Sequence, residues 1–305
     1  MSWKISPVKS GQTIGLWTPA SSVKPEQVQN GLAQLKARGF NYRLGAHAFS
    51  HNGITAASPA ARLSDLHGFL RDPHISAIWA LRGGYGTAQM LNQIDYDLLQ
   101  KHPKLLIGFS DVTALEWGIF AQTGIPTFSG LTITTQFSDE NPYLDTALRM
   151  LSGEKNAIDE SDLPQGTPVI HRKGSAEGLL IGGTLSMICS LYGTPYFPES
   201  ENLILFIEDV DEPLYRIDRL LWQLHLGGFW ERVSAVILGK FVLGEQFLEV
   251  FDQLEPMLPD GIPVVSGFPY GHFTPCLPLP VGVPASFDAS PFRLEWQPFL
   301  QSVIA

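Results

Sequence analysis

The chain has 305 residues, 44% hydrophobic and 16% charged, enough for one large or two ordinary domains with a well-filled core. A formal net charge of −10 argues against a nucleic-acid backbone or an anionic membrane as partner, while leaving room for a small charged ligand. The two cysteines, Cys189 and Cys276, stand outside any C-x-x-C pair or histidine cluster, so neither a disulfide framework nor a metal site is expected. Residues 1–11 lack a continuous apolar core and no segment reaches membrane-spanning length, which reads as a cytoplasmic, soluble protein.

In chain order, Ile14–Thr18 is an apolar strand and a helix follows from Pro25, with Val28, Leu32 and Leu35 on one face and Gly39 as its stop. Phe40–Leu44 is the next strand. Ser58 and Pro59 open a helix as cap and first-turn proline, with Leu63, Leu66 and Leu70 on its inner side. Ile75–Leu81 is a strand, Thr87–Ile94 a helix, Leu105–Phe109 a strand, Asp111–Thr123 a helix and Ile125–Phe128 a strand. Such alternation predicts a parallel sheet covered on both faces. A helix over Pro142–Leu151 ends this half, and residues 156–174 read as a linker between domains at 1–155 and 175–305. The second half has strands at Leu179–Ile181 and Leu203–Ile207, a helix around Leu185–Leu191 and another from Pro213. Strands at Ala235–Leu238 and Ile262–Val265 flank a helix near Glu245–Leu258, before a tail rich in proline and glycine.

Four strand ends carry chemistry. Leu105–Phe109 delivers Ser110 onto a tight strand-to-helix turn, where it is either an N-cap or an activated nucleophile. Val112 replaces the second glycine of G-x-S-x-G, so this is not the α/β-hydrolase elbow. Arg82-Gly83-Gly84-Tyr85-Gly86 follows the Ile75–Leu81 strand and is either a simple turn or a loop whose amides meet a phosphate or oxyanion. It does not fit the G-x-G-x-x-G fingerprint of dinucleotide binding. Leu203–Ile207 ends in Glu208-Asp209. Helix-start acidity explains Asp211 and Glu212 better than it explains Glu208, which could orient a histidine. Among eight histidines, His272 in G-F-P-Y-G-H is the candidate general base, because glycine and proline set its loop just beyond a buried strand.

These four stretches, R-G-G-Y-G at Arg82–Gly86, G-F-S-D-V-T-A-L at Gly108–Leu115, F-I-E-D-V at Phe206–Val210 with Y-R-I-D-R at Tyr215–Arg219, and G-F-P-Y-G-H at Gly267–His272, together resemble the LD-carboxypeptidase family of serine peptidases. The resemblance implies an N-terminal α/β domain like that of class I glutamine amidotransferases, a smaller β-rich C-terminal domain, and an active site between them. It implies Ser110 as nucleophile, Glu208 as triad acid and His272 as base, with an oxyanion hole from the amides of Gly84 (Gly83 its neighbour) and Asp111. Arg82 and Tyr85 are candidate substrate contacts. No cofactor or metal is implied. The implied substrate is a muramyl tetrapeptide cut between an L-centred diamino acid and D-alanine, by a cytoplasmic homodimer. One branch instead cleaves microcin-type peptidyl nucleotides, for which Trp117 could join Arg82 and Tyr85 in an aromatic or basic subsite. Thr184 stands where the family usually has asparagine, and Phe273–Cys276 lacks an asparagine often found there, so both stretches are expected among the substrate contacts. A non-catalytic ligand-binding module on the same sheet is the remaining alternative.

Overall fold

A computed structural model describes Trp3 and residues 5–301. The first half runs β1 (Thr13–Trp17), α1 (Pro25–Ala37), β2 (Asn41–Leu44), α2 (Pro59–Arg71), β3 (Ile75–Ala80), α3 (Tyr96–Lys101), β4 (Leu105–Gly108), α4 (Thr113–Thr123), β5 (Thr127–Ser129) and α5 (Leu144–Leu151). The second half continues with β6 (Ala157–Asp159), β7 (Val169–Arg172), β8 (Ser175–Thr184), α6 (Leu185–Leu191), β9 (Leu203–Val210) and α7 (Leu214–Leu226). It ends with β10 (Val233–Leu243), β11 (Gln246–Leu248), α8 (Phe251–Leu254), β12 (Val264–Ser266), β13 (Leu279–Val281), β14 (Val283–Ala289) and β15 (Phe292–Trp296).

Two sheets result. The first has the order β13-β5-β4-β3-β1-β2, parallel except for β13. Its order reverses at β1 and β3, where loops leaving the strand ends open a crevice. The second has the order β6-β15-β14-β8-β9-β10-β12-β7, with β11 added to β10; its middle strands β8, β9, β10 and β12 are mutually parallel. Buried apolar runs such as Leu105–Ile107 and Leu203–Ile207 form these central strands because both faces are covered.

α4 lies between the sheets. Its first seven residues are all buried, and the Trp117 indole donates to the Gly182 carbonyl of β8 at 2.8 Å. Trp117 is therefore core, which removes it from the set of residues that could reach a ligand. Local chemistry supports the predicted helix starts: the Ser58 hydroxyl accepts from the Ala61 amide at 3.3 Å, with Pro59 in the first turn.

Three expectations are corrected. Residues 156–174 are not a free linker, because β6 pairs with β15 and β7 with β12 in the second sheet. The Glu245–Leu258 stretch is not one helix. Gly244 turns the chain back so that β11 pairs with β10, and only the single turn of α8 and a 3₁₀ turn at Glu255–Met257 follow. Thr87–Gln93 is 3₁₀ rather than α-helical. Among the described residues no helix is long and apolar enough to cross a membrane.

Candidate active site

Ser110 follows β4 and has φ +66°, left-handed backbone that a non-glycine residue adopts only when its surroundings impose it. Val112, not Ser110, occupies the N-cap of α4, and the hydroxyl of Ser110 is engaged elsewhere. Its Oγ lies 2.8 Å from Nε2 of His272. On the far side of the ring, Nδ1 of His272 is 2.8 Å from Oε2 of Glu208, and the same oxygen accepts from the His272 backbone amide at 3.2 Å. Glu208 lies in the buried part of β9 and is fully enclosed. The three predicted residues, 162 positions apart at their extremes, thus form one continuous line across both sheets.

The imidazole is packed as well as bonded. The Phe109 ring lies 4.5 Å from it, and Tyr270, two residues before His272, sets its ring edge-on against both Phe109 and Phe206. The Tyr270 hydroxyl in turn shares a hydrogen bond with Ser129 at 2.8 Å. Burial disfavours a charged His272, but the Glu208 carboxylate outweighs it and raises the pKa, making the ring a stronger base than free histidine. The next acid, Asp209, serves α6: it accepts from the amide and hydroxyl of Ser186, and burial together with the neighbouring Glu208 pushes it up to about 7. A third buried carboxyl, Glu116 on α4, is fully enclosed and pushed up to about 8 by desolvation, with the Ser129 hydroxyl pulling the other way.

The glycine loop meets the serine directly. A Cβ on Gly83 would sit 2.8 Å from Cβ and 3.2 Å from Oγ of Ser110, so only glycine lets the loop lie this close. Gly84 follows with φ +119°, and the loop is fastened at both ends. The Tyr85 amide donates to Ser21 Oγ at 3.1 Å. The Thr87 amide donates to Oδ2 of Asp111 at 2.9 Å while the Thr87 hydroxyl donates to the Asp111 carbonyl at 2.5 Å. Buried Arg62, which no motif singled out, donates to the Gly86 carbonyl at 2.9 Å and to Gln89 at 2.7 Å. Burial raises the Asp111 carboxyl, and the Thr87 and Gly86 donors with Arg62 oppose that rise. The predicted oxyanion donors Gly84 and Asp111 therefore belong to two segments that Thr87 clamps together.

A cleft of about 590 Å³ opens above Ser110 and His272, walled by Arg82, Gln136, Asp211 and Phe273 among others. Arg82 thus lines the cleft. Tyr85 is half-exposed and outside the wall, and its amide is tied down to the loop after β1. Thr184 is likewise outside the wall, whereas Phe273 and Thr274 are in it. A second hollow of about 610 Å³, beside Asn156, Glu177 and Trp296, holds none of these groups.

An alcohol aligned with an imidazole, itself braced by an enclosed carboxylate, has one widespread use: attack on a carbonyl carbon. Fold and site therefore define a serine-type hydrolase on a two-sheet α/β frame. Known proteins narrow the class. Residues 14–130 match the LD-carboxypeptidase N-terminal domain and residues 177–287 the LD-carboxypeptidase C-terminal domain. A probable murein peptide carboxypeptidase of Bacillus subtilis is 33% identical over 298 residues, spanning 95% of this chain and 93% of that protein. The solved structure of MccF in complex with glutamyl sulfamoyl guanosine superposes with a TM-score of 0.88 at 26% identity, covering 98% of this chain and 99% of that one. The crystal structure of muramoyltetrapeptide carboxypeptidase from Oxalobacter formigenes gives 0.82 at 28% identity, covering 95% and 100%. This chain belongs to the LD-carboxypeptidase family, and it is a hydrolase of the serine-peptidase type.

Proposed function

We propose that the protein is a serine carboxypeptidase that removes D-alanine from murein tetrapeptides, cutting its bond to the L-centre of the diamino acid. In this mechanism His272 Nε2 takes the proton from Ser110 Oγ as the oxygen attacks the carbonyl. Glu208 holds the Nδ1–H tautomer and stabilises the imidazolium that forms. The amides of Gly84 and Asp111 receive the oxyanion, each such donor being worth roughly 3 kcal/mol in comparable enzymes. His272 returns the proton to the departing D-alanine nitrogen, and water, activated by the same ring, releases the peptide from the acyl-enzyme. Arg82 in the cleft wall supplies a cation for a substrate carboxylate.

The observation that carries this reading is the unbroken contact line from Ser110 through His272 to Glu208, 2.8 Å at each step. On the same reading the enzyme acts as a cytoplasmic homodimer on recycled cell-wall fragments. The test is release of free D-alanine from a muramyl tetrapeptide by wild type and by Ser110→Ala. Turnover should vanish in the folded variant, and a variant with the wild-type rate would refute the assignment.

A second reading has a specific observation behind it, the close superposition on MccF bound to an aminoacyl sulfamoyl nucleoside. Cleavage of an acyl-sulfamoyl adenylate in preference to the tetrapeptide would select that immunity-type peptidase over cell-wall recycling.

A further inference from the structure

β8 and β9 run parallel, and their register sets Thr184 directly opposite Glu208. Thr184 is 4% exposed, and its hydroxyl donates to Oε1 of Glu208 at 2.6 Å, the oxygen that His272 does not use. Its backbone amide donates to Oγ1 of Thr113 at 3.2 Å, and Thr113 is the first residue of α4, three beyond Ser110. Gly183 permits this approach. It has φ +142°, and a Cβ there would fall 2.4 Å from Cγ2 and 2.6 Å from Oγ1 of Thr113. The contacts close a ring: Ser110 to His272, His272 to Glu208, Glu208 to Thr184, Thr184 to Thr113, and back along one helical turn to Ser110.

We propose that Thr184 is a positioning residue that fixes the carboxylate plane of Glu208 and ties it to the helix behind the nucleophile. The proposal rests on the triad reading above. A glutamate carboxylate has a broad terminal torsion, so contacts at Oε2 alone leave its plane loosely set. A donor at Oε1 fixes that plane. The hydroxyl comes from a β-branched side chain that is stiff about its first torsion. Thr184 therefore reaches the substrate only through Glu208 and His272, which corrects the expectation that it is a substrate contact.

Thr184→Val keeps the shape and removes the donor; Thr184→Ser keeps the donor and removes a methyl group. A hydrogen bond to a charged group is worth about 1.5–3 kcal/mol, so kcat of the valine variant should fall roughly 10- to 100-fold with KM changed less than about two-fold. The acid limb of its kcat/KM profile should move to lower pH, because a loosened Glu208 no longer supports the His272 cation. Thr184→Ser should recover to within about three-fold of wild type. A valine variant at the wild-type rate would overturn the proposal. So would a change confined to KM, a slower rate with an unmoved acid limb, or a serine variant that fails to recover. If the valine variant does not fold, as read by thermal melting, Thr184→Ala carries the same expectations. Ser110→Ala run in parallel separates the two levels. Turnover surviving there overturns the triad reading itself, whereas a dead Ser110→Ala beside an unaffected Thr184→Val overturns the role of Thr184 alone.

Discussion

Replacing Glu208 with glutamine removes one charge and almost no volume, so it isolates what the buried carboxylate contributes. Oε2 accepts twice from His272 and Oε1 once from Thr184, and among the described residues no other hydrogen bond reaches this fully enclosed group. An amide can keep its oxygen toward Nδ1 only if its NH₂ faces Thr184, whose hydroxyl must then reverse and accept. The other orientation sets NH₂ against Nδ1 and forces the wrong imidazole tautomer. In either case the imidazolium formed during attack loses an anion at 2.8 Å. At an effective dielectric of about 20 that attraction is on the order of 6 kcal/mol before desolvation is subtracted. A fall in kcat of about 10³- to 10⁴-fold, equivalent to roughly 4–5 kcal/mol, is therefore expected, in line with other triads stripped of their acid charge. The assay is D-alanine release across pH, paired with the rate at which a serine-directed phosphonate inactivates Ser110. The wild-type rate should rise with pH through the elevated pKa of His272, because only the neutral ring accepts a proton. In Glu208→Gln the acid limb should shift to lower pH. The stability supplied by the pair has the opposite pH dependence: it is full below the ordinary histidine value of 6.5 and is lost as pH rises through the raised folded value. A variant keeping more than about a tenth of wild-type kcat would refute the role given to Glu208.

Two further predictions concern neighbours of the triad. Gly83→Ala places a methyl group 2.8 Å from Cβ of Ser110 and 2.9 Å from the Phe109 carbonyl, so the loop or the serine must shift. A displacement near 1 Å should lower kcat/KM about 100-fold with little change in melting temperature, and an unaltered rate would show that the loop gives way harmlessly. Glu116 has an ordinary value of 4.5 and a folded one of about 8, so the folded state holds a proton that the unfolded chain releases between those pH values. Stability should decline across that window by up to roughly 1.4 kcal/mol per pH unit. Glu116→Gln should flatten this decline, so denaturant titrations at pH 5 and pH 8 should differ less for the variant than for wild type.

The apolar strands and amphipathic helices were legible because their patterns are local. Leu105–Ile107 and Leu203–Ile207 are continuous buried runs, and Ser58-Pro59 is a self-contained start signal. The candidate positions Ser110, Glu208 and His272 were legible for a related reason: each follows directly from a recognisable strand or loop end. What stayed hidden depends on partners distant in sequence. β6, β7, β11 and β13 are three or four residues long and exist through their pairing, and β13 even carries Pro280 in its middle. The Glu245–Leu258 segment has enough apolar residues to suggest a helix, but the Gly244 turn and Pro256 cut it into a hairpin and short turns. Thr184 was singled out because it stands where the family usually has asparagine, yet its hydrogen bond to an acid 24 positions away follows from sheet register, which no spacing rule conveys. Arg62 was invisible for the same reason, since a lone arginine on a helix gives no hint that its guanidinium anchors a loop.

β13 pairs antiparallel with β5, so after delivering His272 the chain returns to complete the edge of the sheet that bears Ser110. The two halves are consequently laced together rather than joined once. A gene fragment ending near residue 155 would encode the serine without the outermost strand of its own sheet, leaving a raw β5 edge prone to unwanted pairing. Recombination that exchanges one half between relatives must carry this returning strand along, or build it anew to match the borrowed edge.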